Sequence, residues 1–598
     1  MSEYKPPLDD IEFVLNNVAD LERISKLNGF QHADPDTATG VLAEAGRFFS
    51  EVIAPTNRTG DEQGSVLQDD GSVKTPDGFK EAYDKFVQAG WAGVHLPESA
   101  GGGGFPYTVG IVLQEMFTSA NLAFSLAPLL TQGAIDALVQ HGSPEQQQTY
   151  LEKLASGQWT GTMCLTEPQA GSDLGAITTR AVKQDDGTYR LTGQKIFITW
   201  GEHDLTENII HLGLAKTPDA APGTKGISMF IVPKHIPDAG GAPGERNDVR
   251  VVSLEHKLGI HASPTCVLSF GDDEGAVGYL VGEEQRGMKY MFTMMNTARI
   301  GVAVEGLALG EMAYQRAARY ALERIQGRAL GAKEASPIVE HPDVRRMLMT
   351  MRANNEAMRS ALYATAALID LERHAETEEE RTKSGERVAL MIPILKAWCT
   401  DLGVEMTSLG IQVHGGMGYV EETGAAQLMR DARIAPIYEG TNGIQALDLV
   451  TRKVPMRGGQ VVGEFIAEMV ETAAALKEIE GMETSAEELD RALAVLAEVS
   501  AHVGDKMAKG EYADAIAGAT PFTRMWGTVV GGAHLAEGAL AAARMLGGGA
   551  SDGRFLEAKL ATARFYCEQI LPTAAGHGPS VTAPADILFE LDPEQLTA

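Results

Sequence analysis

The first 160 residues carry apolar side chains at helical spacing. The segment "DTATGVLAEAGRFFSEVIAP" places most of its apolar residues near one helical face and stops at Pro55. The segment "SPEQQQTYLEKLASGQW" predicts a shorter helix, with Ser143 as N-cap and Gln146 at the reciprocal position of a capping box. Residues 36–160 therefore predict an N-terminal helical domain, and residues 1–35 an arm that precedes it.

The pattern changes after Trp159. The next segments are short, rich in β-branched and aromatic residues, and separated by Gly, Asp, Asn and Pro. They are "YRLTGQKIFITW", "NIIHLGLAK", "GISMFIVPK", "VRVVSLEHK" and "TCVLSF". Short segments of this composition predict antiparallel β structure over residues 161–285.

Long helical patterns return over residues 286–455. They begin at "MKYMFTMM", "HPDVRRML" and "KSGERVAL", and Pro393 is expected to bend or break the third. Residues 456–598 predict an additional helical domain and tail, with a capping box at Ser485 and Glu488 before an apolar face. A core or oligomer-contact role is expected for this last region. The fold class predicted is α+β, mostly α.

Charge and composition narrow the class of protein. The chain has 598 residues and a net charge of −31, which argues against nonspecific nucleic-acid binding. The start "MSEYKPPLDDIEF" has no secretory pattern, and no apolar run is long enough to predict a membrane span. Four dispersed cysteines suit the cytoplasm, and no metal site is expected. His203 and His211 are assigned to a surface turn.

Glu439 is a single carboxylate in the uncharged run "IAPIYEGTNGIQ". One interpretation is a solvated loop residue or an acid in the first turn of a helix. The second is a general base against apolar residues, because burial raises a carboxyl pKa towards the working pH. The sequence has no Gly-x-Gly-x-x-Gly turn between a strand and a helix, so a bound dinucleotide would not use a Rossmann turn.

Three stretches carry a resemblance to a known family. They are "MCLTEPQAGSDLGAITTRA", "KIFIT" and "QVHGGMGYVEETGAAQLMRDARIAPIYEGTNGIQ". Each alone has a structural interpretation: a turn, a core strand, and a helix C-cap followed by a turn. Together, and in this order, they make residues 75–455 resemble the acyl-CoA dehydrogenases. The resemblance implies a helical domain, a middle antiparallel β-barrel and a C-terminal four-helix bundle, with an extra C-terminal helical module in this chain. It also implies FAD held without a Rossmann turn, and a homodimer or dimer of dimers.

The resemblance assigns roles by motif. Glu439 falls at the catalytic base, which removes the thioester α-proton while a hydride leaves the β-carbon for the flavin. Expected FAD contacts are Met163, Leu165, Thr166, Ser172, Phe197, Ile198, Thr199, Arg324, Gln412, Gly415, Gly416, Thr441 and Gly443. Expected acyl-CoA contacts are Ser172, Asn296, Arg299 and Gly440. Phe197 stands where the family usually has tryptophan, and Asn296 where it usually has aspartate.

The length and several phrases, such as "WTGTMCLTEPQAGSDLG" and "GTKGISMFIVPK", resemble the 3-methylmercaptopropionyl-CoA dehydrogenases. These enzymes act in bacterial dimethylsulfoniopropionate degradation and form methylthioacryloyl-CoA. An electron-transfer flavoprotein or a similar acceptor is the implied partner. Straight-chain acyl-CoA remains an alternative substrate, because pocket length decides between them. Two further hypotheses are a DNA-binding flavoprotein and an acyl-CoA oxidase, and the net charge argues against the DNA-binding flavoprotein.

Overall fold

Helices make up 62% of the chain in the computed structural model, which describes residues 4–597. Before residue 159 the helices are α1 (Leu8–Asn17), α2 (Leu21–Ser25), α3 (Pro35–Phe48), α4 (Thr56–Gln63), α5 (Phe79–Gln88), α6 (Tyr107–Ala120), α7 (Leu122–His141) and α8 (Pro144–Ala155). After residue 286 they are α9 (Gly287–Glu323), α10 (Pro342–His374), α11 (Glu378–His414), α12 (Ala425–Ala432), α13 (Asn442–Asp448), α14 (Gln460–Leu476), α15 (Glu483–Lys509), α16 (Tyr512–Ala517), α17 (Ala519–Gly547), α18 (Gly553–Phe565), α19 (Pro572–Gly576) and α20 (Gly578–Thr582). The predicted mostly helical class is confirmed.

The strands, apart from one short hairpin, lie between α8 and α9. They are β1 (Val66–Leu67), β2 (Val73–Lys74), β3 (Trp159–Cys164), β4 (Arg180–Lys183), β5 (Tyr189–Thr199), β6 (Asn208–Lys216), β7 (Ile227–Pro233), β8 (His235–Pro237), β9 (Pro243–Arg246), β10 (Val249–Leu254), β11 (Thr265–Phe270) and β12 (Ala276–Leu280). All five segments predicted as strands form strands. In the main sheet, the sequence interpretation missed β3, β4 and β12.

The described chain divides into two units. The first contains the residues up to Pro6 together with Val41–Gly301, and the second contains Pro7–Gly40 with the chain from Val302 onward. The predicted arm therefore contributes most of its length to the second unit, together with the C-terminal helices.

A closed ring of five strands is the centre of the first unit. The ring runs β5, β12, β7, β6, β4 and back to β5, and β3, β11 and β10 extend the sheet. The predicted barrel is confirmed, but the wholly antiparallel sheet is wrong. Strands β3 and β4 each pair parallel with β6. Parallel neighbours need a crossover connection, and the chain between β3 and β6 supplies one.

Alternate side chains of β7 enter two different cores. Met229 and Ile231 join a cluster formed with α7, α8 and the start of α9. Phe230 and Val232 point the other way, into a cluster of residues from the barrel strands. A strand covered on both faces is a continuous apolar run, as "ISMFIVP" is. The barrel is thereby fixed to the helices on one side.

Helix α7 is the one described helix long and apolar enough to span a membrane, with a mean hydropathy of 1.5. Its apolar window is 78% buried inside the chain, as expected of a core helix.

Asn121 caps α7 by accepting from the backbone N–H of Phe124, and donates to the hydroxyl of Thr56 at 2.9 Å.

Small residues bring the long helices of the second unit together. A Cβ built on Gly306 of α9 would lie 2.0 Å from the carbonyl oxygen of Cys399 in α11, and one on Gly403 would lie 2.6 Å from Gly306 Cα. On the other side, a Cβ on Gly527 of α17 would lie 2.2 Å from Cγ of Trp398. Glycine therefore lets α9 and α17 approach α11 closely.

A buried group of charges links α1 to the C-terminal helices. Lys559 of α18 donates to Asp10 at 2.5 Å and to Glu356 of α10 at 2.7 Å. Arg359 of α10 donates to Asp10 at 2.6 Å and to Glu311 of α9 at 3.1 Å. Four helices, from the two ends and the middle of the chain, therefore share one ionic cluster.

The predicted break at Pro393 and the predicted N-cap at Ser485 are both wrong. Helix α11 runs unbroken through Pro393, which lies in a buried stretch packed against α10 and α17. The loss of one hydrogen bond, to the carbonyl of Ala389, is tolerated there. Ser485 is not an N-cap, because α15 begins at Glu483 and the buried Ser485 hydroxyl donates to Glu568 at 3.1 Å. The capping box at Ser143 and Gln146 is confirmed.

The surface turn predicted for His203 and His211 is also wrong. Both imidazoles are buried in the first unit. The Thr160 hydroxyl lies 2.9 Å from Nε2 of His203, and the Thr162 hydroxyl lies 2.7 Å from Nδ1 of His211. Burial lowers the pKa of each to about 3, so both stay neutral.

Candidate active site

Glu439 lies on a tight turn immediately before α13. Its backbone has φ of +57°, in the left-handed region that glutamate seldom adopts, and Gly440 follows with φ of +85°. The amide N–H of Asn442 donates to the carbonyl of Pro436 at 3.0 Å and closes the turn. Thr441 is the N-cap of α13, so Glu439 is outside the helix. Its position excludes the interpretation as a first-turn helix acid.

Polar side chains of α11 and α13 hold the turn. Gln445 is fully buried and donates through Nε2 to the carbonyls of Glu439 and Gly440, at 3.2 and 3.3 Å. Asn442 accepts from Lys396 of α11 at 2.9 Å and donates to Asp401 at 2.7 Å. A buried network of this kind fixes a backbone because each partner would otherwise be left unpaired.

Donors at the start of α13 are free to meet a ligand. Thr441 and Gly443 are both exposed. The Thr441 oxygen accepts from the amide N–H of Ile444 at 3.3 Å, which leaves its O–H available. Within the described part of the chain, the amide N–H of Gly443 makes no hydrogen bond. These two groups therefore fit the predicted role in holding a cofactor.

Tyr438, the residue before Glu439, is fixed by a buried acid. Its phenol donates a hydrogen bond to Oε2 of Glu305 in α9. Glu305 is 1% exposed and was not among the residues predicted from the sequence. A single glutamate within the helical pattern "IGVAVEGLALG" does not indicate a hydrogen-bond partner 133 residues away.

In the first unit, the loop after β3 and the end of β5 are brought together. The amide N–H of Ile196 donates to the carbonyl of Thr166 at 2.9 Å. Opposite β11, the register of β5 shifts between the pairs Ile198–Cys266 and Lys195–Leu268, which is a β-bulge. Phe197 lies in this bulge with φ of +59°, and the residue is 58% exposed. The bulge thus turns an aromatic ring outward next to the loop.

A buried ion pair holds that loop, and it was not predicted. Lys195 donates to Glu167 and to the carbonyl of Leu165, both at 2.9 Å. Glu167 also accepts from backbone and hydroxyl groups of Thr178 and Thr179. Burial raises the pKa of Glu167, but Lys195 and these donors hold it at about 2. The charged pair therefore ties the loop to β5 at neutral pH.

The predicted residues of the first unit fit the FAD expected from the sequence. Within residues 4–597 the hydroxyls of Thr166, Ser172 and Thr199 make no hydrogen bond, and each can donate to a ring atom or a phosphate oxygen. The exposed ring of Phe197 offers a face for stacking. Ile198 differs, because its side chain is 2% exposed in the barrel core and its carbonyl already accepts from the amide N–H of Gly201 at 3.2 Å.

The other predicted site residues lie on, or directly after, α9 and α11. Near the first unit's end of α9, Asn296 is exposed and Arg299 is buried, with its guanidinium 6.0 Å from the centre of the Phe292 ring. In the second unit, Tyr320 stacks on His414 with ring centres 4.6 Å apart. That stack brings the ends of α9 and α11 together.

Four residues that were predicted to bind FAD lie at these ends of α9 and α11, and they come from two motifs. Arg324 follows the end of α9 and is exposed. Gln412 is exposed in the last turn of α11, and Gly415 with φ of +60° follows it. A Cβ on Gly415 or Gly416 would meet nothing within 4 Å, so the space beside both is open. Among the described residues, no group of three or more His, Cys, Asp or Glu could hold a metal ion.

Comparison with known proteins assigns the chain along most of its length. The matching family models are described as acyl-CoA dehydrogenase N-terminal domain (residues 36–158), middle domain (162–272), C-terminal domain (285–454), and acetyl-CoA dehydrogenase C-terminal like (465–592). The chain is 46% identical to the 3-methylmercaptopropionyl-CoA dehydrogenase of Ruegeria pomeroyi, over 98% of this chain and 99% of that one. The chain belongs to the acyl-CoA dehydrogenase family. It is an oxidoreductase of this family.

Further family members match over nearly the whole length. The chain is 36% identical to a butyryl-CoA dehydrogenase of Syntrophomonas wolfei, over 95% of each chain. A crystal structure of an acyl-CoA dehydrogenase complexed with FAD from Bacillus anthracis shares the fold, with a TM-score of 0.72 and 21% identity, over 93% of this chain and 90% of that one. The similarity therefore includes the C-terminal helices beyond residue 455.

Proposed function

We propose that the chain dehydrogenates 3-methylmercaptopropionyl-CoA between its α and β carbons and forms methylthioacryloyl-CoA. One observation carries the chemistry: Glu439 is held in a strained backbone conformation by a fully buried Gln445 and a closed turn. Strained residues of this kind concentrate at functional sites. The substrate rests on the 46% identity to the Ruegeria enzyme, which extends over 98% of this chain.

Glu439 acts as the general base in this proposal. Its carboxylate takes the α-proton, and the turn that holds it keeps the carboxylate in one place relative to Gly440 and Thr441. FAD, when bound, accepts the β-hydrogen as a hydride. Gly440 follows the base with φ of +85°. Because glycine has no side chain, it leaves room for the acyl chain next to the base.

Each unit contains proposed FAD contacts. Thr166, Ser172 and Thr199 supply hydroxyl donors, Met163, Leu165 and Ile198 supply backbone and apolar contacts, and Phe197 stacks on the ring system. Thr441 and the amide N–H of Gly443 donate from the start of α13. Arg324 pairs with an FAD phosphate, and Gln412, Gly415 and Gly416 bind the FAD of a partner subunit. Ser172, Asn296 and Arg299 contact the acyl-CoA.

We propose a homodimer or a dimer of dimers. Exposed apolar side chains support it, since Met417 and Tyr419 follow Gly416 with 48% and 88% of their surface exposed. Apolar side chains next to a cofactor-binding segment suit a contact with a second copy. Residues 286–455 are proposed as a four-helix bundle of α9, α10, α11 and α13, in which α11 packs on α10 and α13.

An electron-transfer flavoprotein or a similar acceptor is the proposed electron partner, and the cytoplasm the proposed location. The four cysteines are all free and buried, which suits a reducing compartment. The net charge of −31 disfavours a DNA-binding flavoprotein.

The test is an anaerobic titration of the purified holoprotein, followed by the visible spectrum of its flavin. We expect 3-methylmercaptopropionyl-CoA to bleach the flavin at low excess, and butyryl-CoA and octanoyl-CoA to bleach it less. Equal bleaching by all three would retain the dehydrogenase and favour a straight-chain substrate, as in the Syntrophomonas relative. Peroxide formed in air at the rate of turnover, without an added acceptor, would favour an oxidase.

A further inference from the structure

The reaction leaves a buried acid of the second unit without a role. Glu305 of α9 is 1% exposed, and it accepts the phenol proton of Tyr438 on Oε2. Its other oxygen, Oε1, is buried and has no hydrogen-bond partner among residues 4–597. A buried carboxyl with one unpaired oxygen is unfavourable, so its presence next to the catalytic turn calls for a function.

The hydrogen bond to Tyr438 places Glu305 next to the turn that carries the base. The next residue, Gly306, lets α9 approach the backbone of α11 at Cys399. The charged and titratable groups that face Glu305 are Tyr438 and Glu439 on the turn, and Lys396 on α11. Asp431 of α12 acts in turn on Tyr438.

These neighbours determine when Glu305 carries a charge. Burial raises the pKa of Glu305 to about 8, Glu439 adds to the rise, and Tyr438 and Lys396 oppose it. The pKa of Tyr438 is raised well above its usual value by burial and by Glu305, so the phenol keeps its proton. The acid is therefore mostly neutral at pH 7 and becomes a carboxylate as the pH rises through about 8.

We propose that Glu305 is a positioning residue which acts through Tyr438, fixing the backbone before Glu439 and supplying a second negative charge near the base when it ionises. This inference rests on the proposed function, with Glu439 as base. Two interacting carboxyl groups influence each other reciprocally. When Glu305 loses its proton, its charge favours the protonated form of Glu439, and Glu439 then takes the α-proton more readily. The rate of flavin reduction should therefore rise a few-fold through about pH 8.

The experiment compares the holoenzyme with Glu305→Gln, Tyr438→Phe and Glu311→Gln. Glutamine keeps the shape of Glu305 and can still accept from Tyr438, but it cannot ionise. Tyr438→Phe removes the bond that lowers the pKa of Glu305, so the rise should move to higher pH. Glu311→Gln is the matched control, because Glu311 is also a buried acid of α9 but pairs with Arg359. It should keep the wild-type pH profile.

Two readouts are measured across the pH range around 8. One is the anaerobic rate of flavin reduction by substrate. The other is the infrared band of a protonated carboxyl, which does not depend on turnover. We expect Glu305→Gln to lose both the rise in rate and the band that disappears near pH 8, while FAD content and melting temperature stay close to wild type.

The proposal is overturned if the wild type shows no such band, or if Glu305→Gln keeps the pH profile of the wild type. It is also overturned if Glu305→Gln lowers the rate equally at every pH, which would indicate structural support alone. Failure of the underlying function is distinguishable, because Glu439→Gln would then keep wild-type activity whatever the Glu305 variants do.

Discussion

Glu439 and Phe197 share an unusual backbone conformation. Both are among seven described non-glycine residues with positive φ, and both were assigned to the active site from the sequence. A side chain in the left-handed region costs about 1 kcal/mol or more. At Phe197 the β-bulge imposes it, and at Glu439 the turn closed by Pro436 and Asn442 does. Neither angle could be predicted from the residue types, which disfavour it.

The strain at Glu439 predicts different stabilities for two small substitutions. Glu439→Gly and Glu439→Ala should both abolish most turnover, because both remove the base. The glycine variant should be more stable than the alanine variant by about 1 kcal/mol, since only glycine adopts this φ freely. Urea unfolding of the two variants measures the difference. An alanine variant as stable as the glycine variant would contradict the strain.

Within each unit, buried side chains that the sequence did not reveal support the predicted site residues. Glu167 and Lys195 each lie inside a motif that the sequence singled out, but no spacing rule pairs residues 28 apart in a loop and a strand. Glu305 lies in a helix with no motif. Glu439, Phe197 and Thr441 were identifiable because the family motifs contain them.

Helix α17 depends on glycine where it crosses α11. Gly527→Ala should destabilise the protein by about 1–3 kcal/mol, because the added methyl group overlaps the Trp398 ring. Gly463→Ala is the matched control on α14, where a Cβ meets nothing within 4 Å. It should stabilise by about 0.5–1 kcal/mol through helix propensity. Thermal unfolding checks both, and a Gly527→Ala variant that melts like the wild type would refute the close crossing.

Helix and strand predictions succeeded where the local pattern decides and failed where distant contacts decide. Ser143 caps α8 as its sequence predicts. Ser485 has the same local signature, but a hydrogen bond to Glu568 buries it inside α15. Pro393 remains inside α11 because packing along the whole helix outweighs one lost hydrogen bond. Strand β3, with "WTGTMC", lacks the alternation of an antiparallel edge because both its faces are buried.

The whole molecule should lose stability in mild acid. His203 and His211 ionise with a pKa of about 3 in the folded chain, against an ordinary 6.5, because burial disfavours their charged forms. Between these values the unfolded chain binds protons that the folded chain does not. The free energy of unfolding should therefore fall as the pH drops below about 6.5.

The melting temperature measured from about pH 7 down to about pH 4 checks this dependence. A His211→Gln variant should show a shallower decline than the wild type, since one of the two buried imidazoles is gone. His32→Gln is the control, because His32 is exposed, and its decline should match the wild type. A wild-type melting temperature that stays constant down to about pH 5 would contradict the buried neutral histidines.

Glu439 is proposed to remove the substrate α-proton. The decisive experiment measures the anaerobic stopped-flow rate of flavin reduction by 3-methylmercaptopropionyl-CoA, in the wild type and in Glu439→Gln. Glutamine keeps the size of the side chain but cannot take a proton. We expect the variant to bind FAD and substrate and to reduce its flavin about two to four decades more slowly. Flavin reduction at the wild-type rate in Glu439→Gln would contradict the claim.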